Sequence, residues 1–386
     1  MRIGIDYTSA AWQGAGIGRY TRELVRAVVE LGGDYHYSLF YAAWGLPKDS
    51  PQIAALNDLC SKHANVRAVP LPFTPQMLTR LWQRLRVPMP VELWTGPLDI
   101  VHAPDFVLPP TGARKLLTIH DLAFLVGPEW FEPVLQRYLS RAVPRSLAQA
   151  DMVLADSHAT KNDLVRLLQA DPSKVHVIHL GADPRFKPWP ADDLAAVRER
   201  LKLPEKFILF VSTLEPRKNV VRLLEAFAMS FGFGAPNDLK IVLGGRKGWL
   251  YDDIFAAIDR LHLHDRVHYL DYLDDRDLPA VYNLASAYTY VPLYEGFGLT
   301  ALEAMACGTP VLTSDKASLP EVVGDAALVV DAYDTQAMAQ GLARILTDTA
   351  LREQLRQAGP QQAARFSWQL AAQQLRGYYE QLACGC

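Results

Sequence analysis

The sequence predicts an α/β protein with two facing, doubly wound Rossmann-like domains and a cleft between them. Short apolar segments alternate with longer segments of helical periodicity along nearly the whole chain, as in parallel sheets that helices cover on both faces. The alternation forms two blocks, which a turn-rich stretch between Gly181 and Lys187 separates. Because ligands of such sheets bind beyond the carboxyl ends of the strands, we expect functional residues in the loops at those ends.

The strands are predicted from apolar runs without alternation, which are typical of strands buried on both faces. In the first block these runs are Arg2–Asp6, His36–Tyr41, Val66–Val69, Ile100–His102, Leu116–Ile119 and Val153–Ala155. In the second block they are Phe207–Val211, Lys240–Leu243, Val267–Tyr269, Ala287–Val291, Val311–Thr313 and Ala327–Val330. Helical periodicity predicts Gly18–Leu31, Phe131–Leu147, Thr160–Leu168, Val220–Phe227, Leu299–Ala306 and Thr335–Thr347.

Composition is that of an ordinary globular enzyme and excludes several classes. The chain has 386 residues, 50% of them hydrophobic and 21% charged, which suits two or three domains. A formal net charge of −3 provides no overall basic field for nucleic acid. We find no secretory leader and no apolar run of about 18 residues, and the four cysteines form no C-x-x-C pair. We therefore expect a cytoplasmic protein with reduced thiols.

The most specific motif runs from Glu295 to Glu303, between an apolar strand and a helix. Gly296 and Gly298 leave backbone N–H groups accessible at the helix start, where anions bind. The two carboxylates can hold separate sets of hydroxyl groups along one sugar-containing ligand. Either glutamate alone is explained as well by the preference of acids for helix starts. Strand, glycine loop and helix together favour a binding motif.

Two further polar pairs follow predicted strands. Arg217 and Lys218 come after the first strand of the second block, where adjacent cations suit a diphosphate; a solvated basic turn is the alternative. His120 and Asp121 end a buried strand of the first block. A lone histidine is commonly structural, but the carboxyl end of a strand favours a role in binding.

The glycine string GAGIGR at residues 14–19 joins the first strand to a helix. It is not a dinucleotide fingerprint, because Arg19 stands where the third glycine is needed and the second strand lacks the acid that binds ribose. A loop that closes over a substrate is the favoured interpretation, and a simple tight turn is the alternative.

Together these motifs resemble glycosyltransferase family 4, whose members have the two-domain GT-B architecture. The resemblance covers nearly the whole chain, and the strings VIHLGAD at 177–183, LGGRKGW at 243–249 and FSW at 366–368 add to it. It implies an N-terminal acceptor-side domain over residues 1–184 and a C-terminal nucleotide-sugar domain over residues 185–365. The last part, residues 366–386, would be a helix that crosses back to the first domain.

The same resemblance implies retaining hexosyl transfer from a nucleotide sugar. Glu303 would bind the ribose and Glu295 the donor sugar, while Arg217 and Lys218 would neutralise the leaving diphosphate. His120 would contact a hydroxyl group of the donor sugar. The backbone of Gly296, Phe297, Gly298 and Leu299 would meet sugar or phosphate, Gly16 would lie near the diphosphate, and the base would rest near Tyr272 and Leu273.

Neither a cofactor nor a metal ion is implied. The leaving phosphate would help to deprotonate the acceptor on the same face of the sugar, so no protein nucleophile is needed. The pairs Asp252-Asp253 and Asp274-Asp275 look like metal motifs, but they sit near predicted helix starts, which acids favour. The overall pattern is most like that of bacterial polysaccharide mannosyltransferases, so GDP-mannose is the expected donor and a glycan or lipid-linked saccharide the expected acceptor.

The stretch from Gln76 to Trp94 is predicted to be a basic amphipathic helix, which Pro88 and Pro90 should end. Such a stretch can lie on an anionic membrane, here the inner face, or it can bury its apolar side in the first domain. The sequence leaves both open. The apolar residues Met77, Leu78, Leu81, Trp82 and Leu85 recur at helical spacing, and Arg80, Arg84 and Arg86 interleave with them.

Other functions on the same architecture remain open from the sequence. The donor could be a UDP-sugar. A nucleotide-sugar epimerase or a phosphorylase is the next alternative; an epimerase needs acids around the sugar carbon and acts without an acceptor. A non-catalytic protein would bind the nucleotide sugar without hydrolysis or transfer, and fold alone does not decide among these.

Overall fold

The computed structural model describes residues 1–14, 16–47 and 49–384, which divide into two compact units. The first unit contains Met1–Leu122, Arg137–Leu180 and residues 368–384, and the second contains Ala123–Gln136 and Gly181–Ser367. Ala15 of the glycine string and the terminal Gly385 and Cys386 lie outside the described residues. The division after Leu180 falls close to the predicted boundary after residue 184.

The first unit is built on a seven-stranded sheet, in which all neighbouring strands are parallel. Its strands are β1 (Arg2–Asp6), β2 (His36–Ala42), β3 (Val66–Leu71), β4 (Ile100–Ala103), β5 (Arg114–Ile119), β6 (Met152–Ala155) and β7 (Val175–Val177). Their order is β3-β2-β1-β4-β5-β6-β7, which is doubly wound. The six predicted strands are confirmed. The strand β7 was not predicted, because a three-residue edge strand with a central histidine is not an apolar run.

The second unit has a six-stranded sheet, again parallel throughout. Its strands are β8 (Phe207–Val211), β9 (Lys240–Gly244), β10 (Val267–Leu270), β11 (Ala287–Tyr290), β12 (Val311–Ser314) and β13 (Leu328–Val330). The order β10-β9-β8-β11-β12-β13 confirms all six predicted strands and the doubly wound fold.

Helices connect these strands, and the six predicted helices are confirmed, with differences of at most three residues at either end. Among the described residues the α-helices are α1 (Thr8–Trp12), α2 (Ile17–Glu30), α3 (Pro51–Lys62), α4 (Pro75–Leu78), α5 (Glu92–Thr95), α6 (Ala123–Val126), α7 (Pro133–Gln149), α8 (His158–Leu168), α9 (Ala191–Arg200), α10 (Val220–Ser230), α11 (Asp252–Arg260), α12 (Leu278–Leu284), α13 (Leu299–Ala306), α14 (Leu319–Val323), α15 (Thr335–Thr347), α16 (Thr349–Ala363) and α17 (Trp368–Cys384). None of these helices is both long and apolar enough to cross a membrane.

Helix α17 is fixed to the first unit by buried polar contacts. The hydroxyl group of Tyr379 lies 3.0 Å from Nδ1 of His102 on β4, and Nε2 of His102 lies 2.9 Å from the hydroxyl group of Thr118 on β5. Burial lowers the pKa of His102 to about 3, so the ring is neutral and serves as one donor and one acceptor. The last helix thereby completes the core of the first sheet.

The Gln76–Trp94 stretch is not one continuous helix. It consists of α4, a π-helical turn over Thr79–Arg84, a loop that contains Pro88 and Pro90, and α5. The expectation that the prolines end the helix is confirmed. Leu78 and Trp82 are buried among core residues of the first unit, whereas Leu85 is 70% exposed. Most apolar residues of this stretch therefore lie in the core of the first unit, whereas Leu85 lies on its surface.

Candidate functional site

In the second unit the candidate residues gather where strand order reverses. The strand β8 has β9 on one side and β11 on the other, and a crevice forms beyond the carboxyl ends at such a point. Arg217 and Lys218 lie in a 3₁₀ turn, Pro216–Lys218, that follows β8. Glu295 lies in the loop between β11 and α13. The two motifs, distant in sequence, therefore meet.

Glu295 accepts hydrogen bonds from both predicted cations. Its Oε2 lies 2.7 Å from Nζ of Lys218 and 3.5 Å from Nη1 of Arg217. Lys218 also donates to the hydroxyl group of Tyr290 at 2.7 Å, and that hydroxyl group donates to Glu295. Lys218 is buried, at 7% exposure, and these two partners hold its side-chain nitrogen in place.

The charge state of Glu295 follows from these neighbours. Burial would raise its pKa, but Lys218 and Arg217 outweigh burial and lower the pKa to about 2. Burial, followed by the charge of Glu295, raises the pKa of Tyr290 well above its usual value. At neutral pH Glu295 is thus a carboxylate and Tyr290 a neutral donor. Glu295 can accept hydrogen bonds from ligand hydroxyl groups but has no proton to give.

A second carboxylate balances the second cation. Nη2 of Arg217 lies 2.9 Å from Oε1 of Glu215, which is 3% exposed. Two cations and two carboxylates therefore neutralise one another, and this makes their burial tolerable. An anionic ligand would find cations already oriented by the protein, which is the arrangement that stabilises developing charge at little cost.

The glycine loop is shaped by close packing. Gly298 has φ +99° and begins α13, and a Cβ atom there would come within 2.6 Å of Cδ2 of Leu319, so glycine is required. The hydroxyl group of Ser318 donates to the backbone oxygen of Glu295 at 2.8 Å. Gly296 and Phe297 are buried and Leu299 half-buried. The backbone of the loop is thus held against α14.

Three tyrosines connect the two glutamates of the motif. Tyr282 donates to Oε2 of Glu303 at 3.3 Å, and its ring lies 5.3 Å from that of Tyr288. Tyr288 in turn stacks on Tyr290, at 6.1 Å between ring centroids, and Tyr290 donates to Glu295. Glu303 itself is 1% exposed in the first turns of α13.

The residues expected near the base differ in exposure. Tyr272 is 52% exposed, and the guanidinium group of Arg246 lies 4.6 Å from its ring centroid. Leu273 is buried against Gly244, where an added Cβ atom would come within 2.5 Å of Cδ1 of Leu273. Of this pair only Tyr272 presents a face to a ligand.

In the first unit His120 is an ion-paired, fully engaged side chain. Its Nδ1 lies 2.7 Å from Oδ2 of Asp156 and its Nε2 lies 2.8 Å from the backbone oxygen of Pro104. Both partners are acceptors, so both ring nitrogens carry protons. Burial alone would lower the pKa of His120, but Asp156 and Asp105 outweigh it and raise the pKa to about 9. His120 is therefore an imidazolium at neutral pH.

Gly16 of the glycine string lies directly before α2. Gly16 is exposed, has φ +58°, and a Cβ atom added there would have nothing within 4 Å. Gly18 instead lies against α1, where a Cβ atom would come within 2.3 Å of the backbone oxygen of Gln13. The two glycines thus differ: one leaves an open surface, and the other allows α1 and α2 to pack closely.

The two acidic pairs lie near helix starts, as the sequence predicts. Asp252 and Asp253 form the first turn of α11. Asp274 precedes α12 and pairs with Arg276 at 3.0 Å. Their positions are explained by the helix dipole and by a local ion pair.

Three residues that position candidate side chains within their own units were not predicted from the sequence: Glu215 and Tyr290 in the second unit and Asp156 in the first. A signal existed for two of them. Tyr288 and Tyr290 alternate along a strand, which puts both on one face, and Asp156 directly follows β6, the neighbour of β5. The pairing of Glu215 with Arg217 depends on the local turn and has no equivalent signal.

The His120–Asp156 ion pair predicts how the stability of the first unit depends on pH. The pKa of His120 is raised from 6.5 to about 9, so the stabilisation is complete below the unfolded pKa of about 6.5 and is lost as pH rises through about 9. Melting temperatures of the protein and of Asp156→Asn should therefore differ most near pH 6 and converge above pH 9. Melting curves that stay parallel over this range would contradict the assignment.

Comparisons with known proteins agree with this architecture. The family profile "Glycosyltransferase Family 4" matches residues 14–186, and "Glycosyl transferases group 1" matches residues 194–362. The O-antigen chain mannosyltransferase B of Escherichia coli is 31% identical over 375 residues, which cover 95% of this chain and 96% of that protein. A D-inositol 3-phosphate glycosyltransferase of Salinispora arenicola is 34% identical over 236 residues, 58% of this chain and 53% of that protein.

Solved structures share the fold over the whole length. Sucrose-phosphate synthase from Thermosynechococcus elongatus superimposes with a TM-score of 0.77 at 22% identity and covers 100% of both chains. Anabaena HepE in complex with UDP and glucose gives a TM-score of 0.75 at 19% identity and covers 98% of this chain and 99% of that one. With the two parallel-sheet domains, the glycine loop between its glutamates and a relative that matches nearly end to end, the chain belongs to glycosyltransferase family 4, has the GT-B architecture and is a glycosyltransferase.

Proposed function

We propose that the protein is a retaining mannosyltransferase that moves mannose from GDP-mannose to a glycan or lipid-linked saccharide in polysaccharide synthesis. The observation that carries the transferase chemistry is the buried cluster of Arg217, Lys218 and Glu295 at the strand-order reversal. The choice of mannose is supported by the similarity, over 95% of the chain, to an O-antigen chain mannosyltransferase.

The donor would lie along the carboxyl edge of the second sheet. Arg217 and Lys218 would meet the diphosphate, Glu295 the sugar hydroxyl groups, and Glu303 the ribose. The remaining assignments, proposed from the family pattern, are backbone contacts from Gly296, Phe297, Gly298 and Leu299, a base near Tyr272 and Leu273, and contributions of His120 to a sugar hydroxyl group and of Gly16 to the diphosphate.

Charge development during the reaction accounts for these roles. When the anomeric bond breaks, positive charge grows on the sugar and negative charge on the phosphate. Lys218 and Arg217 are held in place before the reaction and would lower the free energy of that phosphate electrostatically. Glu295, with a pKa of about 2, would act only as an acceptor for sugar hydroxyl groups. The leaving phosphate would take the acceptor proton on the same face, which gives retention.

His120 can join this scheme only as a donor. Its imidazolium ring already donates to Asp156 and to Pro104. A bond to a sugar hydroxyl group would replace or share the bond from Nε2 to the backbone oxygen, whereas the Asp156 ion pair would keep the ring charged and oriented.

A UDP-sugar donor is the second candidate. It is favoured by one observation, namely that a structural neighbour with a TM-score of 0.75 is described in complex with UDP and glucose. The cluster of Arg217, Lys218 and Glu295 suits any nucleotide diphosphate sugar, so the choice of base depends on residues around Tyr272.

Membrane contact through the Gln76–Trp94 stretch is a further part of the proposal, with an inner membrane face as the place of reaction. Its core-facing side is already buried, so the contact would depend on the exposed remainder. Leu85 and Leu93 are 70% and 67% exposed, and Arg84 and Arg86 beside Leu85 are also exposed. Apolar side chains next to cations suit an anionic lipid surface.

Donor identity is tested by calorimetry with GDP, UDP, GDP-mannose and UDP-glucose. We expect GDP and GDP-mannose to bind at least tenfold more tightly than the uridine compounds. Glu303→Ala should weaken nucleotide binding by about tenfold to a hundredfold, because a charged hydrogen bond is worth about 1.5–3 kcal/mol. Selective binding of UDP would mean that the donor is a UDP-sugar and not GDP-mannose. Binding of none of the four compounds would refute the transferase proposal.

Lys218 is tested by its effect on turnover. Lys218→Ala should lower kcat by about 10²–10³-fold, as expected when a fixed group that stabilises developing charge is removed, with a smaller change in KM for the donor. Lys206→Ala is the matched control, because Lys206 precedes the amino end of β8 and is 53% exposed in its side chain. Equal turnover of the two variants, in samples whose melting temperatures show them folded, would rule out the role.

Membrane contact is tested by co-sedimentation with vesicles that contain phosphatidylglycerol. The protein should bind at low salt and detach as ionic strength rises, and Leu85→Gln with Leu93→Gln should weaken binding by at least fivefold. Leu370→Gln, on the exposed side of α17 at 47% exposure, is the control. Equal vesicle binding by the Leu85→Gln, Leu93→Gln double variant and by Leu370→Gln would place the membrane contact elsewhere.

A further inference from the structure

One segment of the second unit comes from the first half of the chain. Ala123–Gln136 follows β5 in sequence, between two parts of the first unit, but it belongs to the second unit. The segment consists of α6, a 3₁₀ turn over Pro128–Trp130 and the start of α7. Its contacts within the second unit therefore show which part of that unit it supports.

Trp130 is the centre of these contacts. Its side chain is buried, at 8% exposure, and forms one cluster with Ala123 and Tyr294. The ring lies directly against Gly127, where an added Cβ atom would clash with Cδ2 of Trp130. A buried aromatic side chain removes about 150–250 Å² from water, so Trp130 attaches the segment firmly. Phe131, Leu293 and Ala317 pack against the same cluster.

Trp249 fixes the segment from a second loop. Its Nε1 donates to the backbone oxygen of Trp130 at 2.6 Å, and its ring stacks on that of Phe131 with 5.6 Å between ring centroids. The turn that contains Trp249 is attached to the stretch after β8, since the backbone N–H of Gly248 donates to the backbone oxygen of Leu214 at 3.0 Å. A directional hydrogen bond and a stacked ring together define the orientation of the segment.

The partners of the segment lie at the edge of the sheet that carries the candidate site. Trp249 follows β9, Tyr294 follows β11 and Ala317 follows β12. Parallel strands place their carboxyl ends at one edge. The segment therefore packs on the same edge at which Arg217 and Glu295 meet.

The backbone beside Tyr294 positions both of these charged residues. Tyr294 directly precedes Glu295, and its backbone oxygen accepts a hydrogen bond from Nη1 of Arg217 at 3.2 Å. The backbone N–H of Leu293 donates to the backbone oxygen of Arg217 at 2.9 Å. A shift of this short stretch would move the carboxylate of Glu295 and the guanidinium group of Arg217 together.

Glu303, to which the ribose is assigned, is held by other contacts. It lies in α13 and accepts a hydrogen bond from Tyr282 of α12 at 3.3 Å. A disturbance at Trp130 should therefore reach the sugar end of the donor first and leave the ribose end in place.

We propose that Trp130 is a positioning residue of the transfer reaction, which holds the backbone of Tyr294 and Glu295 so that the Glu295 carboxylate meets the donor sugar. Trp249 anchors Trp130 in this role. The inference rests on the proposed function, which assigns the sugar hydroxyl groups to Glu295. Because a misplacement of about 1 Å can lower a rate by about 10²-fold, loss of this support should appear in turnover.

The experiment measures kcat for release of GDP from GDP-mannose, with methyl α-mannopyranoside as acceptor, and the Kd of GDP by calorimetry. Trp130→Ala should lower kcat by about 10–10²-fold and change the Kd of GDP by less than about twofold, because it moves the sugar contact and not the ribose contact. Trp130→Phe keeps an aromatic ring and should restore most of the rate. Trp249→Phe removes one hydrogen bond but keeps a stacked ring, so kcat should fall by about threefold to tenfold.

Phe233→Ala is the matched control. Phe233 is an aromatic residue of the second unit that is 41% exposed, in the turn between α10 and the amino end of β9, and its variant should resemble the parent in rate and in GDP binding. Hydrogen–deuterium exchange provides a second measurement that requires no acceptor. Residues 291–298 should exchange faster in Trp130→Ala than in the parent, and Phe233→Ala should show no such change.

Three results would overturn the assignment: an unchanged kcat in folded Trp130→Ala, a loss of GDP affinity as large as the loss of kcat, or unchanged exchange in residues 291–298. The second of these is what general damage to the unit would cause. A parent protein that binds neither GDP nor UDP, or releases no GDP, refutes the proposed function instead. The exchange comparison then still decides whether Trp130 holds the loop.

Discussion

The reversal of strand order beside the central strand of each sheet is the constraint that brings polar residues remote in sequence to one edge. Parallel strands place all their carboxyl ends at one edge, and the chain leaves two neighbouring strands toward opposite sides only where the order reverses. In the second unit that point lies between β8 and β11, and in the first between β1 and β4. Lys218 and Glu295 meet at one of these points, and Asp6 and Asp105 lie at the other.

Both points combine buried cations with carboxylates. In the second unit two buried cations are oriented by two carboxylates, so an incoming anion finds positive charge that needs no reorganisation. In the first unit the imidazolium ring of His120 interacts with the carboxylates of Asp156 and Asp105, which raise its pKa to about 9. Mutual neutralisation also explains how Lys218 and Glu215 can be buried at all.

Much of the architecture could be predicted because strong local signals coincide with it. Twelve apolar runs are strands, and helix α13 begins directly after the glycine loop, since apolar runs and glycine turns act locally. The missed strand β7 has no such run and depends on pairing with β6. The Gln76–Trp94 stretch shows the opposite case. Its periodicity indicates a helix, but tertiary packing of Leu78 and Trp82 and the two prolines divide it into short pieces.

The sequence by itself determined the two parallel sheets, the family, and which motifs follow which strands, because these depend on short-range pattern and on the chemistry of single residues. Only the tertiary structure decided the charge states and partners. Glu295 is a carboxylate because Lys218, 77 positions away, lies 2.7 Å from it. His120 is an imidazolium because Asp156 and Pro104 both accept its protons. Such contacts join residues remote in the chain, and their energies depend on distance and burial, which no local pattern contains.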